Sequence, residues 1–111
     1  MQNEIQKLIT AIKTDYIKFA TRNGTKPLEG YFADSVAKFD ESIEVKTGSK
    51  YIKIIRDNGV WGFIVNTDKD KLFKKGDILK AAGWNAPARN KARGNIFENY
   101  SVAWTGPHYL N

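Results

Sequence analysis

The sequence predicts an α+β domain: an N-terminal helical segment followed by an antiparallel β-meander of about five strands. Three observations carry this. Apolar side chains over residues 4–22 recur at the spacing of one helix face. After residue 43 the period changes to strand-like alternation, and Asp57-Asn58-Gly59 divides two such runs as a hairpin turn. At 111 residues the chain is long enough for one modest core and too short for two. It therefore reads as a single domain over 1–111, with helices about 4–43 and a β-rich part about 43–111.

The first helix takes its apolar face from Ile5, Leu8, Ile9, Ile12, Tyr16, Ile17 and Phe19, and Asn23-Gly24 with Pro27 beyond supplies its stop. A face this apolar must pack on the domain's own sheet or on another chain, and periodicity does not separate the two. A second helix is expected over Tyr31 to Ile43, using Phe32, Val36 and Phe39. Ile43 to Val45 is a short strand and Thr47 to Ser49 a turn. Lys50 to Arg56 and Val60 to Val65 flank the Asn-Gly hairpin. Asn66 to Lys71 and Lys74 to Asp77 are charged turns. Ile78 to Ala82 is a strand leading into a loop over Trp84 to Asn95, and Ser101 to Thr105 is the last strand, closed by Gly106-Pro107.

Hydrophobic residues make up 41% and charged residues 27%, which is globular composition without wholesale disorder. With no cysteine there is no disulfide framework, no thiol chemistry and no cysteine-built metal site. MQNEIQKLIT lacks the basic start and apolar run of a signal peptide. No segment approaches the roughly 20 apolar residues that a membrane span needs. The expectation is a soluble, cytoplasmic protein.

The formal charge of +6 is not spread evenly. Lys71 to Phe97 carries seven basic residues (Lys71, Lys74, Lys75, Lys80, Arg89, Lys91, Arg93) against one acid, Asp77, and the rest of the chain balances. A charge excess confined to about a quarter of the chain suggests an anion site. Within it, Arg89 and Arg93 are planar forks that can hold a phosphate by paired bonds, and either an extended or a helical path would let them converge. The alternative is a solvated basic loop with one arginine paired to Asp77 or Glu98. Gly94 would let the backbone approach a ligand or present N–H groups as an anion nest. Trp84, between Gly83 and Asn85, suits stacking on a purine or anchoring the loop. Asn85, Asn90 and Asn95 offer donor and acceptor together, although asparagine is also a common turn former. Trp61 belongs in the core, Trp104 in the core or a subunit interface, and Phe73 and Phe97 in the core. His108, the sole histidine, is expected at the surface.

The sequence has no Walker loop, no GxGxxG after a strand, no HExxH and no GxSxG. Residues 78–97 contain no carboxylate to serve as a base or to hold magnesium. Capture without chemistry is the simpler inference, with no catalytic residue, metal or cofactor expected.

The segments YIKIIRDNGVWGFIV, FKKGDILKAAGWNAPARNKARGNIF and YSVAWTGPHYL, over roughly residues 50–110, resemble the anti-Thoeris sponge proteins. These are small phage-encoded proteins that sequester cyclic ADP-ribose isomers made by bacterial TIR-domain defence enzymes. The resemblance implies a non-enzymatic binder of a cyclic nucleotide signal in the host cytoplasm. It further implies a homo-oligomer of dimers with ligand at subunit interfaces, and ligand-binding residues Trp84, Asn85, Arg89, Asn90, Arg93, Gly94 and Asn95. The competing expectation is a small basic β-rich nucleic-acid-binding module, since basic loops beside aromatics also hold single strands. An enzyme acting on nucleotides is a third class, which the missing motifs disfavour.

Overall fold

In the computed structural model, which describes residues 2–57, 59–89, 91–98, 100 and 102–107, the chain folds as α+β. Helix α1 (Gln2–Ala20) is followed by α2 (Gly30–Ala37) and α3 (Phe39–Ser42). Strands β1 (Ile43–Thr47), β2 (Tyr51–Arg56), β3 (Gly59–Val65) and β4 (Ile78–Leu79) form one antiparallel sheet in sequential order. A separate hairpin of β5 (Val102–Ala103) and β6 (Gly106–Pro107) closes the described chain.

The apolar face of α1 is used within the chain. Ile5, Leu8, Ile9, Ile12 and Tyr16 are buried and pack with Ile52, Ile54, Ile64 and Ile78 from one face of the sheet. Full burial of a side chain such as Leu8 or Ile12 contributes about 1.5–3 kcal/mol. The helix ends where expected, with Arg22, Asn23 and Gly24 all at positive φ and the Asn23 N–H bonded to the Lys18 carbonyl at 2.8 Å. Trp61 joins this core and donates its indole N–H to the Ala103 carbonyl at 2.8 Å, tying β3 to β5. Trp104 packs at its margin, with ring centroids 5.2 Å from Tyr16 and 5.0 Å from Phe19. Its backbone N–H donates to the Asp15 carboxylate at 2.9 Å.

Arg56, at the end of β2, sits among these rings. Its guanidinium lies 5.0 Å from the Tyr16 centroid, 5.3 Å from Phe39 and 5.2 Å from Trp104. This cation is part of the core wall.

The other sheet face carries a second, smaller cluster of Phe63, Val65, Phe73 and Leu79, with Tyr51, Ala81 and Ala92 against it. Among the described residues no helix covers this face; it is covered from the 66–77 loop by Phe73 and from the chain after β4 by Ala81 and Ala92. That double coverage explains why β3 is buried from Trp61 to Val65 without alternation.

Three elements differ from the sequence reading. The second helix breaks at Lys38 (φ −100°, ψ 7°), and the break turns Phe39 inward, 1% exposed, against Tyr16. The strand at Ile78 is two residues long and continues only as an isolated bridge from Ala81 to Pro87. The last strand leaves the meander and pairs with β6 instead. Asp57 takes a positive φ of 49° in the two-residue turn between Arg56 and Gly59; Asn58 lies outside the described residues.

Candidate functional site

The site is built on the loop-covered face of the sheet. In the 66–77 loop, the Asp70 carboxylate accepts the backbone N–H of Leu72 at 2.8 Å and of Phe73 at 3.1 Å, a local turn that aims Phe73 at the sheet. The Arg89 guanidinium lies 5.0 Å from the Phe73 ring centroid. It donates to Asp70 Oδ1 at 2.9 Å and to the Tyr51 hydroxyl from β2. Asp70 is almost closed off, its side chain 2% exposed, whereas Arg89 remains 36% exposed.

The charge contacts act on both partners. The Arg89 hydrogen bond, followed by those from Leu72 and Phe73, holds the Asp70 carboxyl well below the ordinary carboxylate range. The Asp70 hydrogen bond raises the Arg89 guanidinium. A carboxyl depressed on folding contributes stability that is complete above its unfolded value and is lost as pH falls towards the folded one. Urea midpoints followed from about pH 6 to about pH 2 should therefore fall more steeply for the wild type than for Asp70→Asn.

Beside this pair lies an open cleft of about 550 Å³. Ser49 and Lys50 line it from the end of the β1–β2 turn, Thr67, Lys69, Asp70 and Lys71 from the 66–77 loop, and Arg89 from the loop after β4. Backbone pairing brings the segments together: the Asn66 N–H bonds the Lys50 carbonyl and its side chain the Gly48 carbonyl, each at 2.8 Å. Four cations thus share one cleft with a single carboxylate, which already accepts three hydrogen bonds. The volume lies within the range of small-molecule pockets.

Trp84 stands on the same sheet face. Lys53, two residues along β2 from Tyr51, places its ammonium 4.4 Å from the Trp84 ring centroid and bonds Asn85 Oδ1 at 3.0 Å. The indole stays 49% exposed. Lys53 and Tyr51 are about 7 Å apart along the strand, so Trp84 and Arg89 are held over neighbouring same-face positions.

The other expected residues have different surroundings. Arg93 is 6% exposed, does not line the cleft, and donates Nε–H to the Lys91 carbonyl at 3.3 Å. Its backbone N–H bonds the Ile78 carbonyl at 2.7 Å, stitching residues 93–96 to the outer side of β4. Asn95, also 6% exposed, donates to the Lys75 carbonyl at 3.0 Å and Asp77 Oδ1 at 2.9 Å, and accepts the Phe97 N–H at 2.8 Å. Gly94 has φ 140°, and a Cβ there would lie 2.7 Å from Tyr100 Cβ. That close approach is to the protein's own tyrosine. Asn90 and His108 lie outside the described residues. Phe97, expected in the core, is 51% exposed because its ring lies over the bare Cα of Gly76 at the rim. The arginine partner expected from Asp77 or Glu98 is Asp70.

Lys50, Lys69, Ser49 and Thr67 were not among the expected site residues. Counting charge along the sequence favours Lys71 to Phe97, whereas strand pairing gathers cations from three separate segments. The signal for the Asp70 turn, an Asp two residues before Leu72-Phe73, is present but common. Among the described residues, no group of three or more His, Cys, Asp or Glu could hold a metal ion, and no helix is long and apolar enough to cross a membrane.

A family of unknown function, DUF7717, matches residues 1–108. The chain belongs to that family. No curated protein and no solved structure gives a significant match to this DUF7717 member.

Proposed function

We propose that this DUF7717 protein binds and holds a compact phosphorylated nucleotide without altering it. A cyclic ADP-ribose isomer is the ligand that the sequence resemblance implies, with counter-defence as the biological role. The observation that carries the reading is the meeting of Lys50, Lys69, Lys71 and Arg89 in one cleft, on the same sheet face as the exposed Trp84. The cations suit a pyrophosphate, the arginine by its fork and the lysines as point charges. The indole suits an adenine. Arg89, Trp84 and Asn85 are the sequence-derived site residues that best fit such a role, with Lys50, Lys69 and Lys71 added to them. Arg93 and Asn95 are better suited to shaping the loop.

Titration calorimetry with cyclic ADP-ribose isomers should give saturable binding, and heating the complex should release the ligand chemically intact. A hydrolysed product would overturn the no-turnover part, and no heat with any isomer would overturn the ligand. Tryptophan emission should change on binding and lose most of that response in Trp84→Phe. The exposed indole beside Lys53 also fits stacking by a single strand. That second reading expects affinity that grows with oligonucleotide length and falls steeply with salt.

A further inference from the structure

Among the described residues, β1 is the edge of the four-stranded sheet with an open side. The outer side of β4 is covered by residues 93–96, with Ile78 N–H bonded to the Gly94 carbonyl and Arg93 N–H to the Ile78 carbonyl. Among the described residues, β1 pairs with β2 alone, and four of its five residues are exposed. Its flanks fix which backbone groups point outward. The Asp57 N–H bonds the Ser42 carbonyl, and the Gly48 N–H bonds the Tyr51 carbonyl, in the same register as β1 on β2. The even-numbered residues of β1 therefore face β2 across hydrogen-bonded pairs, and Ile43, Val45 and Thr47 present their N–H and C=O groups to the outside. The strand has no proline and no bulge in its pairing with β2, two of the devices that blunt an edge; its charges, Lys46 and Glu44, are exposed and of opposite sign, 3.9 Å apart within the strand.

The residue pattern is self-complementary. We infer that β1 pairs antiparallel with β1 of a second copy of this chain, about a two-fold axis at Val45, joining two four-stranded sheets into one. In that register Val45 faces the partner's Val45, and Ile43 faces the partner's Thr47, as hydrogen-bonded pairs. Glu44 then faces the partner's Lys46, and Lys46 the partner's Glu44. These are the non-hydrogen-bonded positions, where Cα atoms approach to about 4.5 Å and side chains lie closest. A slip of two residues either way sets Glu44 against Glu44 or Lys46 against Lys46, so charge selects the register. On the opposite face, the half-exposed Val45 of each copy meets the other beside a groove of about 480 Å³ under Ile5 and Ile9 of α1. The fit with a second copy rests on this charge pattern and on backbone parity, and is independent of what the cation-lined cleft binds.

Light scattering on the purified chain should give twice 12.6 kDa. Val45→Pro removes only an outward N–H, which an edge strand tolerates, and should give the 12.6 kDa species with unchanged far-ultraviolet circular dichroism. Glu44→Lys and Lys46→Glu should each be monomeric alone and form a heterodimer when mixed, since mixing restores both opposite-charge pairs. A wild-type monomer at every concentration would overturn the inference. So would a dimer that persists in Val45→Pro and in both charge variants.

Discussion

Arg89→Ala is expected to weaken nucleotide binding by about 10- to 100-fold, the scale of one charge-assisted hydrogen-bond set to a phosphate. Two effects add. The fork that would grip the phosphate is lost, and Asp70 loses the cation that neutralises it at the cleft wall. A phosphate would then meet a bare carboxylate. Asp70→Asn introduced alongside Arg89→Ala should recover part of the loss, and the recovered part measures the repulsion. Arg89→Lys keeps the charge without the planar fork and should fall between wild type and alanine. Melting temperature should move little in Arg89→Lys, which keeps a cation beside Asp70, and should fall in Arg89→Ala, which leaves a nearly enclosed carboxylate with only its bonds to Leu72 and Phe73. Calorimetry and a thermal scan on the same samples separate the roles. Normal affinity in Arg89→Ala would remove the cleft as the binding site.

Gly94→Ala should act in the opposite way, costing about 3 kcal/mol of stability and on the order of 15 °C in Tm. The backbone there holds φ 140°, which L side chains avoid, and the new Cβ would lie 2.7 Å from Tyr100 Cβ. Relief requires moving Tyr100 or residues 93–96, and that segment supplies the hydrogen bonds along the outer side of β4. Well below its Tm, the variant should still bind nucleotide, since Gly94 does not line the cleft. Lost affinity in a protein with wild-type Tm would instead make Gly94 a ligand-approach residue, as its place in a basic, asparagine-rich loop first suggests.

The legible parts of this chain were those with a period. The α1 face and the β2–β3 hairpin follow from apolar spacing and from Asp57-Asn58-Gly59, because burial on one side imposes repetition on the sequence. Periodicity could not read the second sheet face. Its cover is irregular chain, held by particular contacts such as Asp70 to Phe73 and Asn95 to Lys75, which leave no repeating trace. The charge count pointed to Lys71 and Arg89 but passed over Lys50 and Lys69, since strand pairing sets their proximity. It also gave equal weight to Arg93, whose burial depends on how residues 93–96 pair with β4. Asparagine and glycine were ambiguous for the same reason: the chemistry that suits a ligand also suits a tight loop.

The hydrogen bond from Trp104 to Asp15 joins residues 89 positions apart. During translation α1 emerges before the sheet it covers and before the hairpin it contacts. Its five buried positions thus lack their full cover, and stay open to solvent or to a chaperone, until the sheet and then residues 102–107 have been made. A ribosome stalled before Val102 should hold a nascent chain in which α1 has not docked, readily cut by protease.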